Sequence, residues 1–258
     1  MSGIRDSFTL EGKRALVTGA GRGIGREIAV AFAQLGAQVA LVSRSGTELE
    51  ETRRLIEADG GRAVQLPYDL LELGTGAELI DLAEDGLGAP VDNIVHSAGL
   101  QHRAPAAEFP PSQWDRLLRV NLTVPFLLSQ ELGRRQLDAG REGNHIFIAS
   151  LASVMGLGDT VAYNASKSGV MGLVRSLSTE WSARGIRANA IAPGYIETAM
   201  TADLMADPVK RAARFAQIPM RRFGRPDDIV GAAVFLAAPL SSYVTGQLLF
   251  VDGGTSTI

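Results

Sequence analysis

Thr18-Gly19-Ala20-Gly21-Arg22-Gly23-Ile24-Gly25 follows a short β-rich run, Arg14-Ala15-Leu16-Val17-Thr18, and opens a helical stretch reaching about residue 35. A strand end, a tight glycine turn and a helix N-terminus together present free backbone N–H groups and a positive dipole end, which suits a pyrophosphate. Glycine lets the backbone approach the ligand and the helix approach the sheet. The spacing of Gly19, Gly23 and Gly25 is Gly-x-x-x-Gly-x-Gly, not the commoner Gly-x-Gly-x-x-Gly. The turn argues for a nucleotide. It does not name a reaction.

Working outward, further β-rich runs stand at 38–42, 62–66, 91–96, 145–149, 187–191 and 247–251. Helical patterns separate them, through 56, near 78–84, from 112 toward 137, over 161–183 and near 227–238. Strands buried on both faces read as continuous apolar runs, and strict β–α alternation implies a parallel sheet with right-handed crossovers. The expectation is a single α/β domain over residues 1–258, with its core over about 8–254. It is a doubly wound parallel sheet of about seven strands with helices on both faces. No repeat or Ser/Pro-rich linker divides it.

Composition narrows the function. With 258 residues, a formal net charge of −3 and a pI near 5.7, nothing draws the chain to nucleic acid or an anionic membrane surface. There is no cysteine, which excludes disulfides, thiolate metal sites and cysteine nucleophiles. Met1-Ser2-Gly3-Ile4-Arg5-Asp6 has no apolar segment behind it, so a secretory leader is not expected, and no apolar run is long enough to span a bilayer. A cytoplasmic protein acting on a small molecule, without nucleic acid, membrane or metal, is the expectation.

The second run ends at Ser43-Arg44. In dinucleotide folds an acidic residue about here binds the ribose 2′-hydroxyl, whereas an arginine nearby tolerates a 2′-phosphate. Residues 42–44 carry no carboxylate, and Arg22 lies in the glycine turn. Both cations favour NADP(H), with NAD(H) as the second cofactor. Further along, Tyr163-Asn164-Ala165-Ser166-Lys167 sets a tyrosine and a lysine at i and i+4, on one helix face. A free tyrosine is a poor base at neutral pH, and an adjacent ammonium is expected to lower its pKa. Ser150 falls at the C-terminal end of the fifth strand, where open α/β sheets place their ligands.

In this order on one Rossmann-type sheet, these residues resemble the short-chain dehydrogenase/reductase family, over about Phe8 to Gly254. The further matching residues are Asp69-Leu70, Ala98-Gly99, Asn121, Pro193-Gly194 and Val251-Asp252-Gly253-Gly254. The resemblance implies a hydride exchange between a nicotinamide and a carbonyl or secondary alcohol. Tyr163 is then the acid/base, Ser150 orients the substrate oxygen, and Asn121 holds a water that relays protons through Lys167. It also implies that Asp69 and Leu70 contact the adenine, that Ile196 and Thr198 hold the carboxamide, and that Lys167 binds the nicotinamide ribose. Members commonly assemble as homotetramers through the helices around Asn121 and Tyr163 and through the last strand. One departure stands out. The family usually carries Asn-Asn-Ala-Gly after the fourth strand, where this chain has His96-Ser97-Ala98-Gly99. His96 is expected to keep a backbone cofactor contact, and Ser97 to lose a side-chain hydrogen bond.

Within the family the chain resembles the gluconate 5-dehydrogenase and 2-dehydro-3-deoxygluconate 5-dehydrogenase group, over Ala98 to Arg103, Ala165 to Val170, Ala190 to Tyr195 and Ile218 to Gly224. A sugar acid presents a carboxylate several carbons from its keto group, which calls for a cation, preferably arginine. Arg103 is the candidate and His102 the second. An ion pair with Glu108 is the competing explanation for Arg103. Two other readings stay open: a 3-ketoacyl-(acyl-carrier-protein) reductase, and a dinucleotide-binding sensor without turnover.

Overall fold

The computed structural model describes residues 7–257. Seven parallel strands run in the order β3-β2-β1-β4-β5-β6-β7. They are β1 (Arg14–Thr18), β2 (Gln38–Ser43), β3 (Arg62–Pro67), β4 (Asn93–His96), β5 (Gly143–Ile148), β6 (Ile186–Pro193) and β7 (Leu248–Val251). Alternate strand residues feed opposite layers. Ala15, Val17, Val39 and Leu41 pack with Ile28 and Phe32 of α1 (Gly23–Gln34), Leu49 and Ile56 of α2 (Gly46–Ala58), and Ala233 and Leu236 from near the C-terminus. Leu16, Ala40, Val42 and Ile94 face the other way, against Leu79, Ile80 and Ala83 of α3 (Gly76–Leu87) and, later in the chain, Leu128 and Leu132.

The long helix expected over 112–137 is not continuous. It is α4 (Pro111–Leu118), one π-helical turn at Arg119–Thr123, and α5 (Val124–Asp138). Pro125 supplies the reason, because it has no N–H to give to the carbonyl of Asn121 four residues earlier. The turn widens there, and Asn121 sits inside it. After α6 (Val161–Trp181), the stretch beyond Thr198 folds into two short helices, α7 (Ala202–Ala206) and α8 (Pro208–Ala216), neither with a buried residue. The helix expected near 227–238 begins as a 3-10 turn, Pro226–Ile229, and continues as α9 (Val230–Ala237).

Beneath α5 lies a polar seam in an otherwise apolar layer. His96 Nε2 meets Ser129 Oγ at 2.8 Å, and His145 Nε2 meets Gln136 Oε1 at 3.1 Å. The Gln136 amide nitrogen donates to the carbonyls of Val91 and Asp92, so its oxygen must accept from His145 and that ring is the Nε2–H tautomer. Nδ1 of both rings is buried without a hydrogen-bond partner. Burial pushes the His145 pKa down to about 3 and that of His96 well below its ordinary value, the latter helped by His145.

Both rings are therefore neutral when folded and charge more easily when unfolded. Their contribution is full above the unfolded pKa near 6.5 and is lost progressively as pH falls below it. Each histidine is expected to remove about 2 kcal/mol of stability on going to pH 5. In His96→Asn, the loss of Tm between pH 7 and pH 5 should be shallower than in the unmodified protein. Thermal unfolding followed by circular dichroism at both pH values measures this, and equal slopes would refute it.

Candidate active site

β1 has β2 on one side and β4 on the other, so successive crossovers leave in opposite directions and open a crevice above the two strand ends. The walls of that crevice are very close. A Cβ on Gly19 (φ +71°) would stand 2.8 Å from the backbone nitrogen of Ala98, and one on Gly25 only 2.3 Å from the carbonyl oxygen of Gly19. Thr18 Oγ1 accepts from the N–H groups of Ser97 and Ala98, at 3.2 and 3.3 Å, and locks the turn after β1 to the turn after β4. Gly23 (φ +57°) is different, because a Cβ there would meet only Thr198 Cγ2, at 3.7 Å. That gap opens onto the start of α1, whose N-cap Arg22 makes no side-chain capping bond and whose first turn has no acid. Free N–H groups, a positive helix end and glycine walls fit a pyrophosphate.

At the ribose end stand Ser43, half-buried, and Arg22 and Arg44, both exposed. The structure adds a residue that the sequence reading passed over. Glu48, in the first turn of α2, pairs with Arg22 at 3.2 Å, and its Oε2 lies 2.9 Å from where a Cβ of Gly21 would be. Asp69 accepts from the N–H of Leu71 at 3.0 Å. The Leu70 side chain is buried in the core, so toward the crevice it offers backbone. The same holds for His96, whose ring stacks on Phe147 with centroids 4.5 Å apart and bonds Ser129 inside the molecule.

The expected tetrad converges at the ends of β4 and β5. Asn121 is buried, and its amide closes both hydrogen bonds with the backbone of Leu100, at 2.8 and 2.9 Å. It also reaches Ser166 Oγ at 3.2 Å, and Ser166 in turn donates to the carbonyl of Tyr163. Ser166 thus ties Asn121 to the Tyr163 backbone, a link with no signature in the sequence. Lys167 is buried, and its Nζ donates to the carbonyl of Ile148 at 2.6 Å, lying 5.6 Å from the centre of the Tyr163 ring. A Cβ on Gly99 would find Asn121 Oδ1 at 3.6 Å and Lys167 Nζ at 3.9 Å, so the loop after β4 runs directly over both.

The pKa values differ from the simple expectation. Burial pushes the Tyr163 phenol up, while a hydrogen bond from Ser150 and the charge of Arg103 pull it down. Burial is the larger effect, and the Lys167 ammonium is turned to the Ile148 carbonyl. The same burial lowers the Lys167 pKa to about 8. Ser150 Oγ accepts from the N–H of Ala152 at 3.1 Å, which leaves its own proton for the Tyr163 oxygen. Arg103 is exposed on the loop after β4, and no ion pair to Glu108 exists among the described residues. The neighbouring His102 ring is set edge-on against Phe109. Opposite, β6 ends at Pro193. Gly194 passes so close to Asp252 that a Cβ would stand 2.7 Å from its Cα. Ile196 is buried and bridges Gly224, and Thr198, held by Thr201, lies beside Gly23 of the glycine turn. Among the described residues, no cluster of three or more His, Asp or Glu could hold a metal, and no helix is long and apolar enough to cross a membrane.

Comparison with known proteins agrees with this geometry. The family model described as enoyl-(acyl carrier protein) reductase matches residues 19–256. The 2-dehydro-3-deoxy-D-gluconate 5-dehydrogenase of Bacillus subtilis (strain 168) is 42% identical, covering 98% of each chain. The gluconate 5-dehydrogenase of Gluconobacter oxydans (strain 621H) is 37% identical, covering 96% of each. The crystal structure of a gluconate 5-dehydrogenase from Burkholderia cenocepacia J2315, in complex with NADP and tartrate, superposes with a TM-score of 0.93 at 35% identity, over 99% of this chain and 100% of that one. With matches of this extent on a seven-stranded parallel sheet, the chain belongs to the short-chain dehydrogenase/reductase family of nicotinamide-dependent oxidoreductases.

Proposed function

We propose that this protein, acting as one domain, interconverts a 5-keto sugar acid and its 5-hydroxy form with NADP(H) as the preferred cofactor and NAD(H) as a second. One observation carries the substrate reading: the exposed Arg103 lies on the loop after β4, and the next residue, Ala104, donates its N–H to the carbonyl of Asp159 at 3.0 Å, four residues before the buried Tyr163. A cation on that loop suits a substrate whose carboxylate and carbonyl belong to one small molecule. The gluconate-acting relatives, one of them holding NADP and tartrate, support the same class.

When bound, the dinucleotide supplies or accepts the hydride. The chain's own groups do the rest. Burial keeps the Tyr163 hydroxyl protonated, so it can give its proton to the carbonyl oxygen as negative charge develops there. The Ser150 hydroxyl turns its hydrogen bond from the phenol to the same oxygen and fixes its position. Lys167, with two N–H groups beyond the one on Ile148, holds the ribose and returns a proton toward Tyr163. The Asn121 carbonyl, without its usual helical donor because of Pro125, holds the relay water. Gly19, Gly21, Gly23, Ile24 and Gly25, with Ala98, Gly99 and Thr198, would hold the dinucleotide. A sensor without turnover has no use for this proton-handling set.

The same reading places the protein in the cytoplasm as a homotetramer. β7 is an edge strand, and its Leu249 and Phe250 are each 37% exposed, which leaves an apolar edge for a second copy.

Three outcomes are expected. Tyr163→Phe should lose turnover by about a thousandfold while binding NADPH normally by fluorescence titration; near-normal turnover would refute the assigned acid. Arg103→Ala should raise KM for 5-ketogluconate roughly tenfold to a hundredfold and leave a neutral ketone almost unaffected. Absence of sugar-acid activity, together with good reduction of ketoacyl thioesters, would transfer the assignment to the ketoacyl reductases. Light scattering at micromolar concentration should give four times the 27.3 kDa chain mass, and a monomer would exclude the assembly.

A further inference from the structure

The cation pair at the ribose end is not free to act as two equal positive charges. Arg22 Nη1 lies 3.2 Å from Glu48 Oε1, and the Glu48 side chain is only about half as exposed as that of Arg22, at 34% against 64%. The position of Glu48 is fixed from three sides. Its backbone N–H caps on Ser45 Oγ at 3.2 Å, and its carbonyl accepts from Thr52 Oγ1 at 3.1 Å. Thr52 also donates to the carbonyl of Ala20, in the glycine turn, at 2.9 Å. The carboxylate is therefore held against Gly21, and Ser43 Oγ borders the same position, 2.8 Å from where a Gly21 Cβ would be. No side chain larger than hydrogen fits at residue 21 with these two groups in place.

We propose that Glu48 sets the balance between the two nicotinamide cofactors, a role that rests on the dinucleotide reading of this crevice. The carboxylate is aimed at the place where the adenosine ribose meets the end of β2, from α2 instead of from the strand end. With NAD(H), Glu48 accepts a hydrogen bond from a ribose hydroxyl and keeps Arg22 in its ion pair. With NADP(H), the 2′-phosphate draws on Arg22 and Arg44, must separate Arg22 from Glu48, and leaves a carboxylate facing a phosphate. The two anions compete for one guanidinium. Glu48 thus weakens NADP(H) and strengthens NAD(H), and the enzyme accepts both.

The test is Glu48→Gln, which keeps the side-chain shape and removes the charge, with Glu51→Gln as its control. Glu51 pairs with Arg26, which also donates to the Gly21 carbonyl, so Glu51→Gln reports the loss of a charge beside the glycine turn from a carboxylate that does not itself border Gly21. Calorimetry with adenosine 2′,5′-bisphosphate and adenosine 5′-monophosphate reads the 2′-phosphate contribution without turnover, and titration with NADP+ and NAD+ extends it to the whole cofactors. Glu48→Gln should raise the preference for the 2′-phosphorylated member of each pair by about fivefold, and Glu51→Gln should leave it unchanged. An equal loss for both members, with a lowered Tm, would make Glu48 only a structural support of α2 and overturn the proposal. An unchanged ratio with tight NADP+ binding would overturn it while leaving the cofactor assignment intact. Failure of the unmodified protein to bind any of the four nucleotides would overturn both.

Discussion

The site depends on a contact that leaves no room for a side chain. Gly19 and Gly25 bring the turn after β1 and the first turn of α1 together, and Gly19 also lies directly on the backbone of Ala98 after β4. Because β1 and β4 are neighbours at the point where the chain reverses its direction of winding, this contact fixes the floor of the crevice. Thr18 reinforces it with two hydrogen bonds from the facing turn. A methyl group at either glycine would meet backbone, which cannot rotate aside, so the strands would have to separate. The positions of Ser150, Lys167 and Thr198 are all measured from that floor.

Much of this was legible in the chain itself. Seven apolar runs alternating with helical patterns pointed to the sheet, and all seven strands begin and end within two residues of those runs. The glycine turn and the Tyr163/Lys167 pair were legible as residue types at fixed spacings and Ser150 by its place at a strand end, whereas Asn121 was named only through the family resemblance. What the sequence hid falls into two kinds. Pro125 was in plain sight, and a proline inside an expected helix signals a break, yet the resulting π turn around Asn121 depends on how the neighbouring carbonyls regroup. Glu48 and Ser166 carry no local pattern. Each matters only because a residue far away in sequence, Arg22 or Asn121, is brought to it by the fold.

The departure at His96-Ser97 shows how a motif can be replaced without dismantling the site. The strand-end residue keeps its backbone in the crevice, and its ring turns inward to Ser129 and Phe147. What would otherwise be a surface-lining side chain becomes part of a buried polar seam with His145 and Gln136. Ser97 retains its backbone bond to Thr18, and its Oγ occupies the space beside Gly25. The change shifts the burden from cofactor contact to the protonation state of two rings that must stay neutral inside the fold.

Burial and charge act in opposite directions on Tyr163, and that opposition links substrate binding to chemistry. Desolvation raises the phenol's pKa, whereas Ser150 and the positive charge of Arg103 lower it. Under the proposed carboxylate contact, a sugar acid seated on Arg103 neutralises the charge that favours phenolate. The phenol's pKa is then higher with the acid in place, which keeps it protonated until charge develops on the carbonyl oxygen. A neutral ketone leaves Arg103 charged and forgoes this effect. Under that proposal, the residue that meets one end of the substrate also acts on the acid that serves the other.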